Sequence, residues 1–524
     1  MKDTVKRGWA PALALAMICA VCLLFSARKQ GMFIDEIYTY GLSNSSYRPF
    51  LCGTDKYGRI EHSVVTREEL LDYVSITGDE GFDFGSVYFN QVHDVHPPLY
   101  YWLFNAVSTL ARGSFSKWTG LALDGALYLL AAGLLYVLVR KLGGGRYNAA
   151  AAAALYGLSV IGLSTMVMIR MYVLMTLLTV VLMVFIAELM RQFRPRTCVF
   201  VGLTLLAGLL TQYYFVFFAF FLCAAYVLRA LLKKQYRALA WFIPCALLGA
   251  LSLLLVFPAA LDHLFSGELV SGESAAENLR NFAQYPVRLR TFTGFALHGL
   301  KAAIYTGLAA LAAFCFGFKR LRGRDVSLDW LVFIVPAFLS FVLVAVISPV
   351  DEARYIYNLI PAFVLAVSFL LYLLEKAFDG AKRPRFSAAV FLAIAALAVW
   401  EARCAPPDYL YPEHAAYNAA LEERSGDPCV FFAEPEWAFV PMTEDLIQLL
   451  HFPEVYVTDQ ASLAPMLDYV GDADEVVVYI DVSEFWSSGY DADALLARIR
   501  DETGFRRAEE LFTTGLSTTY VISR

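Results

Sequence analysis

Five short stretches of the chain hold the side chains best suited to chemistry. Residues 32–39, MFIDEIYT, place two carboxylates side by side, Asp35 and Glu36. Residues 93–98, HDVHPP, set His93 and His96 around Asp94. Further on come Arg170-Met171-Tyr172, Gln212-Tyr213-Tyr214 and Asp351-Glu352-Ala353-Arg354-Tyr355. A carboxylate within hydrogen-bond reach of a hydroxyl can take its proton as general base. Arginine grips phosphate through paired, charge-assisted hydrogen bonds. Carboxylates, imidazoles and two arginines therefore suit a hydroxyl nucleophile and a phosphate. Each stretch also has a plain structural reading. Adjacent acids can end a helix, His-Pro-Pro can open one, and an arginine at an interface can snorkel.

The elements that must position these residues are membrane spans. The chain of 524 residues is 59% apolar and 17% charged, against roughly 25% charged in a soluble protein. Its mean hydropathy is +0.55. Apolar stretches of spanning length, ~20 residues, begin near 9, 118, 147, 171, 197, 214, 238, 299, 328, 355 and 386, which predicts about eleven transmembrane helices. Lys2, Lys6 and Arg7 precede the first of them and Ser26-Ala27 follow it. We read it as an uncleaved anchor, because it is long for a signal peptide and further spans follow.

Basic clusters set the orientation. Arg140, Lys141 and Arg146 follow span two, and Arg191, Arg194 and Arg196 follow span four. Lys233, Lys234 and Arg237 follow span six; Lys319, Arg320, Arg322 and Arg324 follow span eight; Lys376, Lys382, Arg383 and Arg385 follow span ten. By the positive-inside rule these loops are cytoplasmic, the N-terminus is inside and the C-terminus outside. Arg28 and Lys29, just past span one, resist this assignment. Arg170 and Arg354 are nearly the only basic residues in the short outer turns. All five chemical stretches then fall on the outer side, as do all seven histidines.

Residues 97–111, PPLYYWLFNAVSTLA, are apolar but too short to span without breaking the alternation. They predict an interfacial or re-entrant helix that Pro97 and Pro98 can open, since a missing N–H costs nothing there. Residues 1–402 thus form a membrane domain with long outer loops at about 28–117 and 259–298. Residues 403–524 alternate short strands with helical patterns and predict a small extracytoplasmic α/β domain. Its acidic runs, DADE, DVSE and YDADA, lack EF-hand spacing and read as solvated surface. Asp124, inside span two, should face the interior in a structural hydrogen bond. No CxxC occurs among the nine cysteines, and Cys404–Cys429 is the one disulfide that the outer domain suggests. With a net charge of −6 and a pI near 5.7, no nucleic-acid partner is expected.

The order of the motifs carries a resemblance. Asp35-Glu36 follows the first span, then DVHPPLYY (residues 94–101), then a span ending in basic residues. Arg170-Met171-Tyr172 opens span four, and Arg354-Tyr355 precedes a late apolar span containing proline. Over about residues 9–400 this resembles the bacterial branch of the C-type (GT-C) glycosyltransferases, related to protein O-mannosyltransferases and to lipid A aminoarabinose transferase. The resemblance implies a polyprenyl-phosphate-linked sugar donor at the outer face of the membrane. It implies transfer, with inversion, to a hydroxyl of a cell-envelope acceptor: a protein, a polymer or a glycolipid. Asp35 would be the base, and Glu36 would position it or the acceptor. Arg170, Tyr172, Arg354 and Tyr355 would lie near the donor, with the arginines on phosphate. His93, Asp94 and His96 would line the site. Gln212 and Tyr213 join the substrate-binding group, Gln212 standing where many relatives have a small polar residue or His. No cofactor is implied. Asp94 and the two histidines could bind a divalent cation, but metal dependence does not follow.

A transporter or flippase of lipid-linked sugars is the alternative. It would place ionisable groups near the bilayer midplane at broken helices, with an inverted repeat. Only Asp124 is clearly intramembrane in the sequence, and no repeat shows. A non-catalytic scaffold is the third reading, and it leaves Asp35 and Arg354 unexplained.

Overall fold

The structure, a computed structural model, describes residues 2–51, 63–78, 80–265, 271–317, 324–378, 383–483 and 489–524. Cys52, Lys319, Arg320, Arg322, Lys382, Glu484 and part of the second outer loop lie outside the described residues, as do the side chains of Lys2, Lys6, Arg7 and Arg383.

The chain forms two compact units. One comprises residues 1–27, 95–100 and 121–408; the other comprises 28–94, 101–120 and 409–524. The division departs from a simple boundary at 402/403. Most of the first outer loop, assigned above to the membrane domain, packs with the C-terminal segment.

The first unit is helical. Among the described residues, seven helices are long and apolar enough to cross a membrane: Gly8–Arg28, Lys117–Lys141, Tyr172–Arg191, Phe215–Leu232, Tyr236–Val256, Ala353–Ala377 and Arg385–Cys404. Two bent pairs bring the number to as many as nine. The remaining two expected spans are the shorter apolar helices Pro195–Leu209 and Leu331–Ile347. The expected eleven positions are all helical, but a count of eleven spans is not established.

Each bend has an identifiable cause. Arg146–Gly157 and Val160–Val167 meet at 59°. Ser159 ends the first helix and starts the second, its hydroxyl accepting the Gly162 N–H at 3.2 Å. Phe282–Gly299 and Lys301–Gly317 meet at 88°. There the buried Glu401 carboxylate, a hundred residues away, accepts the N–H groups of Lys301 and Ala302 at 3.0 and 2.7 Å. It satisfies orphan donors that a continuous helix would have bonded internally. Pro195–Leu209 and Tyr236–Leu251 approach closely at Gly202 and Gly249, where an added Cβ on Gly249 would stand 2.2 Å from the Gly202 carbonyl oxygen. As expected, Asp124 is fully buried and accepts a hydrogen bond from Tyr100 at 2.8 Å.

The second unit holds a six-stranded sheet: β1 Ser63–Thr66, β2 Cys429–Phe432, β3 Glu454–Thr458, β4 Glu475–Asp481, β5 Arg507–Thr513 and β6 Ser517–Ser523. The order is β1-β3-β2-β4-β6-β5. The central β3, β2 and β4 run parallel and, apart from Glu454 and Glu475 at their starts, are buried and apolar-rich as such strands are. β1, from the first outer loop, caps one edge antiparallel to β3, with Val64 opposite Tyr456. One face packs Val430, Val478 and Ile480 against Met466, Leu495 and Ile499. Cys404 and Cys429 are both free thiols, so the suggested disulfide is absent. The predicted helix after Pro97-Pro98 runs Leu99–Leu110.

Candidate active site

In the second unit, Asp35 and Glu36 lie in the first turn of the helix Ile34–Asn44. Acidic residues there complement the helix dipole. Their environments differ sharply. Glu36 is fully buried. It accepts the Phe33 N–H at 2.7 Å, closing the helix start, and pairs with Lys29 Nζ at 2.9 Å. Lys29 in turn donates to the Tyr409 carbonyl at 2.6 Å and lies 5.7 Å from the Tyr411 ring. Asp35, one residue earlier, points elsewhere and is half-buried. Lys29 is one of the two residues, with Arg28, that resist the positive-inside rule. Its side chain is consumed by a buried carboxylate, so it says nothing about orientation.

The helix Phe84–Val92 packs antiparallel to Ile34–Asn44. Ser86 Oγ donates to the Ser45 carbonyl at 2.9 Å, and Asn90 Nδ2 reaches the Leu42 carbonyl at 3.3 Å. The direction carries His93 and Asp94 toward the end where Asp35 lies. His93 caps that helix, its Nδ1 2.9 Å from the Phe89 carbonyl and its ring 4.4 Å from the Phe89 ring. That nitrogen is the donor, which leaves Nε2 as the ring's other functional atom. Among the described residues, no three His, Cys, Asp or Glu side chains are grouped to hold a metal.

In the first unit, four sequence-distant segments meet. The turn 208–215 receives the segment after His96-Pro97-Pro98 through a hydrogen bond from the Leu99 N–H to the Leu210 carbonyl at 2.9 Å. Tyr214 of the same turn meets Tyr355, ring centroids 4.9 Å apart. The short helix Ala353–Leu359 packs on Tyr172–Arg191, with Tyr357 edge-on to Tyr172 at 6.0 Å. Arg170, at the junction before that helix, is 3% exposed. Arg354 Nε pairs with Glu352 at 2.7 Å, and its guanidinium lies 5.7 Å from the Tyr355 ring. Gln212 is buried, and Tyr213 Oη lies 3.0 Å from His263 Nδ1.

Three partners escaped the sequence reading. In the sequence Lys29 stands out only against the charge pattern, His263 is one of seven outer histidines, and Arg288 is one basic residue within the second outer loop. It is 7% exposed, bonds the Ala345 and Ser348 carbonyls and lies 3.3 Å from Asp351. The signal that singled out Arg170 and Arg354, a cation on the outer side, applied to Arg288 as well. That loop is helical where described, with Ala260–Phe265, Ser271–Arg280 and Tyr285–Gly299.

No family model matches the sequence, and no curated protein matches it. Solved structures do. The chain superposes on ArnT from Cupriavidus metallidurans bound to undecaprenyl phosphate with a TM-score of 0.52 at 12% identity, covering 98% of each chain. The apo state of the same protein gives 0.52, at 12% identity and over 99% and 98% of the two chains. The oligosaccharyltransferase of Archaeoglobus fulgidus, tethered to an acceptor peptide, gives 0.47 at 10% identity, over 99% of this chain and 74% of that one, and bears no weight here. This chain shares the fold of ArnT, and its apolar helices are those of a multi-pass membrane protein.

Proposed function

We propose that the protein transfers a sugar from a polyprenyl-phosphate donor to an acceptor hydroxyl at the outer face of the membrane, with inversion. The observation that carries this reading is the contrast between the two carboxylates: Lys29 holds Glu36 buried, and Asp35 is the accessible one. Asp35 takes the proton as the acceptor oxygen attacks the anomeric carbon. The bond from that carbon to the phosphate oxygen breaks, and the polyprenyl phosphate leaves with the electron pair. A phosphate needs no acid to leave. It needs its charge held by preorganised cations in a low-dielectric site, a task that suits Arg170 and Arg354. The likeness to ArnT bound to undecaprenyl phosphate supports a donor of this class. Tyr172 and Tyr355 contact the donor in this reading, and His93, Asp94, His96, Gln212 and Tyr213 belong to the substrate-binding group. Residues 403–524 are extracytoplasmic in this reading.

The two bent helix pairs favour a second reading, a transporter of lipid-linked sugars, since transporters build sites at broken helices. One experiment separates them. Purified protein is given polyprenyl-phosphate sugars, and free lipid phosphate is measured in a single turnover. Transfer should occur, and Asp35→Asn should slow it by about 10²–10⁴-fold while the donor still binds. Translocation in vesicles with no bond broken would establish the transporter, and near-normal turnover by Asp35→Asn would remove Asp35 from the mechanism.

A further inference from the structure

Four helices of the first unit enclose a cavity of about 520 Å³ that the proposed reaction does not use. Its wall is built by residues 147–151 at the start of Arg146–Gly157, residues 371–378 at the end of Ile360–Ala377, residues 386–397 of Arg383–Cys404 and residues 305–313 in the middle of Lys301–Gly317. It thus runs inward from the basic helix ends at Arg146, Lys376 and Arg385. The volume falls within the ~300–1,000 Å³ of ligand pockets. The lining is mostly apolar, including Ala151, Ala310, Leu371 and Ile394. Two buried polar atoms on the wall, Asn148 Oδ1 and Thr306 Oγ1, have no hydrogen-bond partner among the described residues. A buried polar atom left so implies an occupant or water. At the rim, Phe386 is 63% exposed.

The charge at that rim selects the occupant. Arg146 stacks its guanidinium 4.6 Å from the ring of Tyr147, a wall residue. Lys376 and Arg385 are the chain neighbours of the wall residues Glu375 and Phe386. Among the described wall residues the carboxylate is Glu375, which accepts the Gly145 N–H at 2.8 Å. An apolar cavity between membrane helices with a basic rim suits a lipid with an anionic headgroup.

We propose that this cavity holds an acyl chain of an anionic glycerophospholipid, with its phosphate at Arg146 and Arg385. The lipid is a resident of the basic end of the bundle and is distinct from the sugar donor. The test is native mass spectrometry of the delipidated whole protein titrated separately with phosphatidylglycerol, phosphatidylcholine and undecaprenyl phosphate. Phosphatidylglycerol should be retained at one copy and preferred over phosphatidylcholine by roughly thirtyfold, the worth of two basic side chains at an anionic surface. Ala310→Trp, which fills the cavity, should abolish that copy and leave sugar transfer intact. The Arg146→Gln/Arg385→Gln double variant should bind both phospholipids equally, and it decides the matter if Ala310→Trp does not fold. Equal retention of the two phospholipids by the unaltered protein would overturn the proposal. So would unchanged phosphatidylglycerol binding in either variant, or its displacement by undecaprenyl phosphate.

Discussion

Lys29 Nζ lies 2.9 Å from Glu36 Oε2, and both side chains are fully buried. Lys29 also reaches the Tyr409 carbonyl, so the pair ties the chain entering the helix Ile34–Asn44 to the start of the C-terminal segment. A buried ion pair contributes little net stability over an apolar replacement, yet removing one partner alone costs about 3–5 kcal/mol. Glu36 is thus held as a structural anchor beside Asp35, consistent with a positioning role.

That anchor makes a stability prediction. Glu36→Gln and Lys29→Met should each lower the melting temperature clearly, because each strands a polar group without solvent. The double variant Lys29→Met/Glu36→Gln should lose less than the sum, by at least about 1 kcal/mol of coupling, as expected for contacting residues. Thermal melting of the four proteins in detergent measures it. Additive losses would mean that the two side chains do not interact.

Arg354 tests the phosphate assignment. Its guanidinium is oriented by Glu352 on one side and the Tyr355 ring on the other. Arg354→Lys keeps the charge but loses the planar fork, so donor affinity should fall, by something like tenfold, with the protein still folded. Arg170→Lys should act in the same direction. Donor binding followed by calorimetry decides it, and unchanged affinity in both would leave them as interface arginines.

Apolar runs made the helices legible, because a hydrocarbon core demands about 20 residues without charge. What breaks them was not. Ser159 is one serine among many, and Glu401 acts from the far end of another helix. Likewise β2, β3 and β4 announce themselves as short runs of β-branched and aromatic residues, whereas β1 is four residues in a long loop whose partner lies almost 400 residues away. Strand pairing at that separation leaves no local trace. The same holds for the site. Asp35, Arg170 and Arg354 stand out by type and place, but Lys29 and His263 gain meaning only from Glu36 and Tyr213. The rule that flagged Lys29 as an anomaly was reading a charge that the fold had already paired.

Orientation can be tested on the sheet. Ser425, just before β2, is exposed, whereas Cys429 is fully buried. Ser425→Cys in a background lacking Cys52 and the exposed Cys404 should react with an impermeant maleimide in intact cells or spheroplasts. Labelling only after lysis would place the C-terminal sheet inside and reverse the whole assignment.

The last prediction concerns Asp445, which lies buried at the junction of the helices Phe439–Glu444 and Leu446–Leu449 with its carboxylate accepting a hydrogen bond from the Ser517 hydroxyl. Burial, with the neighbouring Glu444 charge adding to it, pushes its pKa up from 3.8 to about 8. The native carboxyl therefore keeps a proton that the unfolded chain gives up just below pH 4. Its contribution to stability is fully present below about pH 4, declines as pH rises and is gone above about pH 8. His414 and His451, whose pKa values burial lowers from 6.5, act with the opposite sign, losing stability on acidification. The total curve mixes these effects, so the difference between two proteins is the informative quantity. Asp445→Asn keeps an acceptor for Ser517 and cannot titrate. The melting temperature of the variant relative to the parent should therefore rise steadily from about pH 5 to about pH 8, measured on the whole chain in detergent. Parallel curves across that range would mean that Asp445 is ionised in the native state, and its burial would then need a cation that the structure has not identified.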